Sequence, residues 1–96
     1  MLSLKYNSGL SNASLKVVQK DGVIVYEKSN HSHDDVISFS GKDKGTLGTN
    51  IKVLINGIED TSIHTSCSIE IGIGSTFGSF TVRDGSSLNG GKLCDK

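Results

Sequence analysis

Residues 14–28 read SLKVVQKDGVIVYEK. Leu15 and Val17 fall on one side of an extended chain and Lys16 on the other, because strand side chains alternate with period two. Asp21-Gly22 then interrupts the run. Both residue types tolerate positive φ, so the pair reads as a two-residue turn between Ser14–Gln19 and Val23–Lys28. Residues 51–65, IKVLINGIEDTSIHT, follow the same logic. Ile51, Val53 and Ile55 alternate with Lys52 and Leu54, Asn56-Gly57 suits a type I′ turn, and Ile58–Thr65 is the return strand. Two hairpins of this kind predict an all-β chain.

Working outward, Leu2, Leu4 and Tyr6 alternate with Ser3 and Lys5 and predict an opening strand. Asn7 to Asn12 is a turn cluster. Ser29–Asp35 reads as a polar loop, Val36–Ser40 as a strand and Gly41–Thr49 as a loop. Ser68–Ile71 reads as a short strand, Gly72–Gly78 as a turn and Ser79–Arg83 as the last strand. Residues 85–96 read as an irregular tail pinned by Cys94. No segment has a sustained i, i+3, i+4 apolar pattern, so essentially no helix is expected. Seven to eight short antiparallel strands predict an immunoglobulin-like β-sandwich occupying 1–96 as one domain. A small barrel is the alternative.

Composition agrees. Ser, Gly, Thr and Asn account for 39 of the 96 residues, and Trp and Pro are absent. A helical bundle would be richer in Ala, Leu, Glu and Lys. Ten basic residues balance ten acidic ones. That leaves no electrostatic footprint for nucleic acid, and no nucleic-acid partner is expected. No apolar run reaches the roughly 18 residues of a membrane span. The opening strand alternates too strictly to be a signal-peptide core, so in a secreted protein the signal would be removed or lie elsewhere. Cys67 and Cys94 are not in CxxC spacing. Two cysteines in a small Ser/Gly-rich β chain fit one disulfide in an oxidising compartment, with two buried thiols as the alternative.

Few residues point to chemistry. His31 and His33, beside Asp34 and Asp35, are a weak metal candidate, since alternate residues of an extended segment share a side. A third ligand at a recognisable spacing is missing, so no metal or other cofactor is expected. His64 with Cys67 or a serine could suggest a dyad. Along a strand, however, His64 and Cys67 face opposite ways, and a histidine bonded to backbone near the strand end is the preferred reading. Gly72–Gly78 lacks the spacing and the helix of a phosphate loop. The expectation is a non-enzyme. Asn12 and Asn30 head N-x-[ST] triplets and are glycosylation candidates.

The second half of the chain carries a resemblance. Asp43-Lys44-Gly45-Thr46-Leu47-Gly48, the VLING of residues 53–57, IHTSCS at 63–68, Ile71-Gly72, FGSFTV at 77–82 and NGGKLC at 89–94 are its elements. Leu2–Tyr6 is similar to the opening strand. Together they resemble a bacterial extracellular β-domain family of unknown function, found in secreted, adhesin-like, multi-domain surface proteins. The family often has proline after the position of Ile69 or Ile71, and often a further cysteine before the opening strand. This chain has neither. The resemblance implies an extracellular or cell-surface location, a structural role without a known activity, and a Cys67–Cys94 disulfide.

The expectation is therefore a non-catalytic extracellular structural module. It would be a building block of a surface protein or of a filament assembled by subunit packing or strand exchange. Its partners would be copies of itself or neighbouring β-domains. Leu2, Leu4 and Tyr6 are the candidate donor strand, because a terminal alternating strand can complete a neighbour's sheet. Pairing within its own domain is the competing reading. A carbohydrate-binding or adhesive module is the alternative function, with surface glycans as ligands. It needs exposed aromatic platforms, and only Tyr6, Tyr26, Phe39, Phe77 and Phe80 are available.

Overall fold

Alternating apolar and polar side chains resolve into eight strands in the computed structural model, which describes residues 2–20, 22–39, 50–64 and 73–84. In chain order these are β1 (Leu2–Tyr6), β2 (Ala13–Gln19), β3 (Ile24–His31), β4 (Val36–Phe39), β5 (Asn50–Ile55), β6 (Ile58–His64), β7 (Thr76–Phe77) and β8 (Phe80–Asp84). Among the described residues there is no helix. One sheet has the order β4-β1-β8-β7 and the other β3-β2-β5-β6, with every pairing antiparallel. The expected sandwich is thus built, in eight strands. In immunoglobulin domains the second and third strands lie in opposite sheets. Here β2 and β3 stay paired in one.

The inward sets are those that period two selects. Leu2, Leu4 and Tyr6 of β1, Ile37 and Phe39 of β4, and Phe80 and Val82 of β8 come from one sheet. Ala13, Leu15 and Val17 of β2, Ile51, Val53 and Ile55 of β5, and Ile63 of β6 come from the other. All are buried in one cluster, with Val25, Tyr26 and Phe77 packed against it. Each fully buried aliphatic side chain contributes roughly 1.5–3 kcal/mol relative to exposure. β1 lies between β4 and β8, with Leu4 opposite Ile37 on one side and Val82 on the other. The candidate donor strand Leu2, Leu4 and Tyr6 is therefore paired on both edges within its own domain.

The Asn56-Gly57 turn holds, while the first is wider than the two residues expected, because Gln19 and Val23, rather than Lys20 and Val23, are the bonded pair that closes it. Asn56 has φ 53° and Gly57 φ 83°, the left-handed pair a type I′ turn requires. Gly22 has φ 90°, its N–H bonds Gln19 O at 2.9 Å, and Gln19 N–H bonds Val23 O at 2.8 Å.

Some boundaries differ from the sequence expectation. The first hairpin shifts by one residue at two ends, with β2 starting at Ala13 and β3 at Ile24. β3 continues to His31, so the polar loop is shorter than Ser29–Asp35. The cause is a bulge. Pairing passes from Leu15–Lys28 to Ala13–His31, two residues on β2 against three on β3, with Asn30 at φ 65°. The Gly72–Gly78 turn contains a strand, because Thr76 and Phe77 pair with Thr81 and Phe80. The last strand is Phe80–Asp84 rather than Ser79–Arg83. The Ser68–Ile71 strand, the tail 85–96 and both cysteines of the expected disulfide lie outside the described residues.

The buried Tyr6 hydroxyl has no hydrogen-bond partner among the described residues, and its ring packs on Phe80 at 5.6 Å. An unpaired buried hydroxyl costs roughly 1–3 kcal/mol. Tyr6→Phe is therefore expected to unfold in urea at the same or a higher midpoint than the parent. Leu4→Ala, at the centre of the seam, should lose roughly 2–5 kcal/mol. A Tyr6→Phe midpoint well below the parent, or an unchanged one for Leu4→Ala, would contradict the packing described.

Candidate functional site

Antiparallel pairing gathers four connections at one end of the sandwich. They are residues 7–12 after β1, 32–35 between β3 and β4, the Asn56-Gly57 turn, and the Gly78-Ser79 turn before β8. The histidines and aspartates of residues 31–35 are held here from both sides. Tyr6 N–H donates to Asp35 O at 2.8 Å, and Asp34 N–H donates to Tyr6 O at 2.8 Å. The loop thereby prolongs the β1–β4 ladder. Asp34 has φ 75°, a conformation that aspartate tolerates better than most residues.

Within this loop three side chains form a chain of hydrogen bonds. Asp35 Oδ2 accepts from Ser32 N–H at 2.9 Å and lies 3.2 Å from His31 Nδ1. His31 Nε2 lies 2.8 Å from the Tyr26 hydroxyl. The carboxylate can only accept, so Nδ1 carries a proton. In the neutral ring Nε2 then accepts from the Tyr26 O–H. The bulge at Asn30 brings His31 onto Tyr26, whose ring also leans on Phe39.

The order carboxylate–imidazole–hydroxyl resembles that of a nucleophilic triad. Burial, and then the negative charge of Asp35, push the Tyr26 hydroxyl above its ordinary pKa. The Ser32 N–H, and then the His31 hydrogen bond, hold the Asp35 carboxyl below its ordinary range. The arrangement keeps Tyr26 protonated and Asp35 ionised, which fastens β3 to the start of β4.

The two histidines of the weak metal candidate are engaged separately. His31 is taken up by Tyr26 and Asp35. His33 Nδ1 lies 3.1 Å from Asn7 O, and its Nε2 lies 3.3 Å from Asp34 Oδ1. Lys5 Nζ also reaches Asp34 Oδ1, at 3.1 Å. Among the described residues no group of three or more His, Cys, Asp or Glu side chains is placed to hold a metal ion. His64 stands at the far end of β6. Its Nδ1 lies 3.2 Å from Asn50 Oδ1, a side-chain partner among the described residues. Asn12 and Asn30 are exposed at the same end as the His/Asp loop, both with positive φ. Of the five aromatic residues, Tyr6, Phe39 and Phe80 are buried and Tyr26 and Phe77 pack against the core. They do not make an aromatic platform for a sugar.

A second polar contact escapes sequence reading. Asp60 sits at a β6 bulge, where Val53–Thr61 pairing passes to Leu54–Glu59. Its carboxylate accepts from Ser79 N–H at 2.8 Å and Ser79 Oγ at 3.0 Å, joining the two sheets. Beside it, Gly78 has φ 55°, and a Cβ there would overlap Asp60 Oδ2 and lie 2.9 Å from Thr61 Cβ. Next to this clamp is a solvent-open hollow of about 250 Å³, with Leu10, Ile55 and Ile58 as its apolar wall and Glu59 and Asp60 at its rim. Leu10 is 53% exposed and Ile58 74%.

A family model, described as a domain of unknown function (DUF7467), matches residues 3–85, and the chain belongs to that family. No curated protein and no solved structure matches the chain.

Two outcomes follow from these contacts. Because Asp35 titrates lower in the fold than in the unfolded chain, its contribution is complete above the ordinary carboxylate pKa. It is lost as pH falls through the lowered folded value. The stability gap between the parent and Asp35→Asn should hold steady at neutral pH and close in strong acid, as read by urea unfolding across pH. Gly78→Ala should destabilise by roughly 1–3 kcal/mol through its φ and the overlap with Asp60. An unchanged melting temperature would contradict that geometry.

Proposed function

We propose that this DUF7467 domain is a non-catalytic extracellular structural module, a building block of a surface protein or filament. Packing of folded sandwiches is favoured over exchange of β1. That strand is already bonded on both edges, so donating it would open the core. The observation that carries the reading is the placement of exposed apolar side chains at the two ends of the sandwich. Leu10, Val36 and Ile58 lie at the end that holds the His/Asp loop, while Ile24 and Ile73 lie toward the other. Large exposed apolar groups clustered with polar rims are characteristic of contact surfaces. The two polar networks support the same reading, because both spend their titratable groups on fastening loops to strands. The resemblance to secreted, adhesin-like surface proteins supports the location. Copies of itself or neighbouring β-domains are the partners that suit such ends.

Native, unreduced protein should show concentration-dependent end-to-end assemblies by negative-stain electron microscopy and sedimentation velocity. A 10.1 kDa species at every concentration would overturn the self-assembling form of the proposal. Turnover of a substrate that disappears with His31→Ala or His64→Ala would overturn the non-catalytic one.

A further inference from the structure

The first and last described strands, β1 and β8, lie side by side and antiparallel. Ser3 pairs with Asp84 and Tyr6 with Phe80, so β1 begins where β8 ends. A segment entering at Leu2 and one leaving after Asp84 therefore attach at the same end of the sandwich. That is also the end where β1 is held more simply. Pairing passes from Ser3–Asp84 to Leu4–Val82, so Arg83 is a bulge residue that interrupts the ladder at its start. Among the described residues, Ser3 Oγ with Ser38 Oγ, at 2.7 Å, is the side-chain bond there. The other end of the strand is fastened several times. Tyr6 bonds Asp35 and Asp34 through its N–H and C=O, and Asn7 N–H bonds Ser79 O at 2.8 Å. Asn7 Nδ2 donates to Thr81 Oγ1 at 2.6 Å, and Lys5 Nζ lies 3.1 Å from Asp34 Oδ1.

We propose that tension between the segments before β1 and after β8 opens the module from its Leu2 end, releasing β1 before the other sheet gives way. Such loading rests on the structural reading above, since a module built into a longer chain is pulled at both of its attachments. Two attachments at one end, drawn apart, load the β1–β8 pairs across the strands and one after another, starting at Ser3. A pull along the strands would load the same pairs together, and bonds loaded together share the force. The interrupted stretch of ladder is first in line, and the Tyr6 and Asn7 fastenings are last. Release of β1 undoes its sheet, because β1 is the strand that joins β4 to β8. The other sheet is held by the β2–β3, β2–β5 and β5–β6 pairs, none of which involves β1. The module is thus closed at rest and opened by tension on its own chain, which frees the edges of β4 and β8 for pairing.

Single-molecule force spectroscopy on the full chain tests this, with handles at residues 1 and 85 in one preparation and at 8 and 85 in another. Residue 8 follows β1 at the far end, so the second pair of handles pulls along the strands. Opening should need a several-fold lower force with handles at 1 and 85. Two conservative variants locate the first event. Leu4→Val in β1 and Ile63→Val in the edge strand β6 each trim a fully buried side chain, and each should lower the urea midpoint. Leu4→Val alone should lower the opening force between 1 and 85, because contacts still intact at the barrier leave the opening rate unchanged. Equal forces in the two geometries would overturn the proposal. So would a force between 1 and 85 lowered as much by Ile63→Val as by Leu4→Val. Molecules are pulled singly, so either result is independent of self-assembly. Loss of the force difference leaves the assembling module in place, and a chain that never assembles still reports the order of opening.

Discussion

One apolar seam carries this fold, and β1 runs through the middle of it. Leu2, Leu4 and Tyr6 face the other sheet, while the strand's edges are bonded to β4 and β8. A chain with only 34% hydrophobic residues has few side chains to bury, and a domain of this size buries a modest share of its surface. Alternation lets short strands put most of their large apolar groups on the seam. The His/Asp loop depends on the same strand, since Tyr6 N–H and C=O hold Asp35 and Asp34.

The polar chemistry is subordinate to that architecture. Asp35, His31 and Tyr26 tie β3 to the start of β4, with the phenol's titration raised by burial and the carboxyl's lowered by the Ser32 N–H. Asp60 and Ser79 make a similar tie across the sheets. With the loops bound down in this way, the end of the sandwich is a preformed surface, and its exposed Leu10 and Ile58 have defined positions.

Most of the strands are legible in the sequence because period two is a strong signal wherever one face is buried. Leu2–Tyr6, 14–28 and 51–65 show it most clearly, and Asn56-Gly57 marks its own turn by residue type. The bulges are not legible. Asn30 reads as a loop residue, and only the pairing of Ala13 with His31 shows that it lets β3 continue. That extra residue puts His31 against Tyr26, five positions away, so neither alternation nor helical spacing could find the contact. The same holds for Asp60, whose bulge aims it at Ser79 across the sandwich. Thr76-Phe77 is hidden between glycines that mark turns. Strand order is set by long-range pairing, which no local pattern encodes.

That long-range pairing has a kinetic consequence. Tyr6 of the first strand is registered against Phe80 of the last, 74 residues later. The β2–β3 and β5–β6 hairpins close locally and can form one sheet early, but β1 has no full set of neighbours until β8 has been made. Closing so long a loop before its contacts reward it slows folding. On a ribosome synthesising roughly 5–20 residues per second, β1 would wait several seconds with an apolar edge open. A strand bonded on both edges in the finished domain is thus the one most open to capture while the domain is being made.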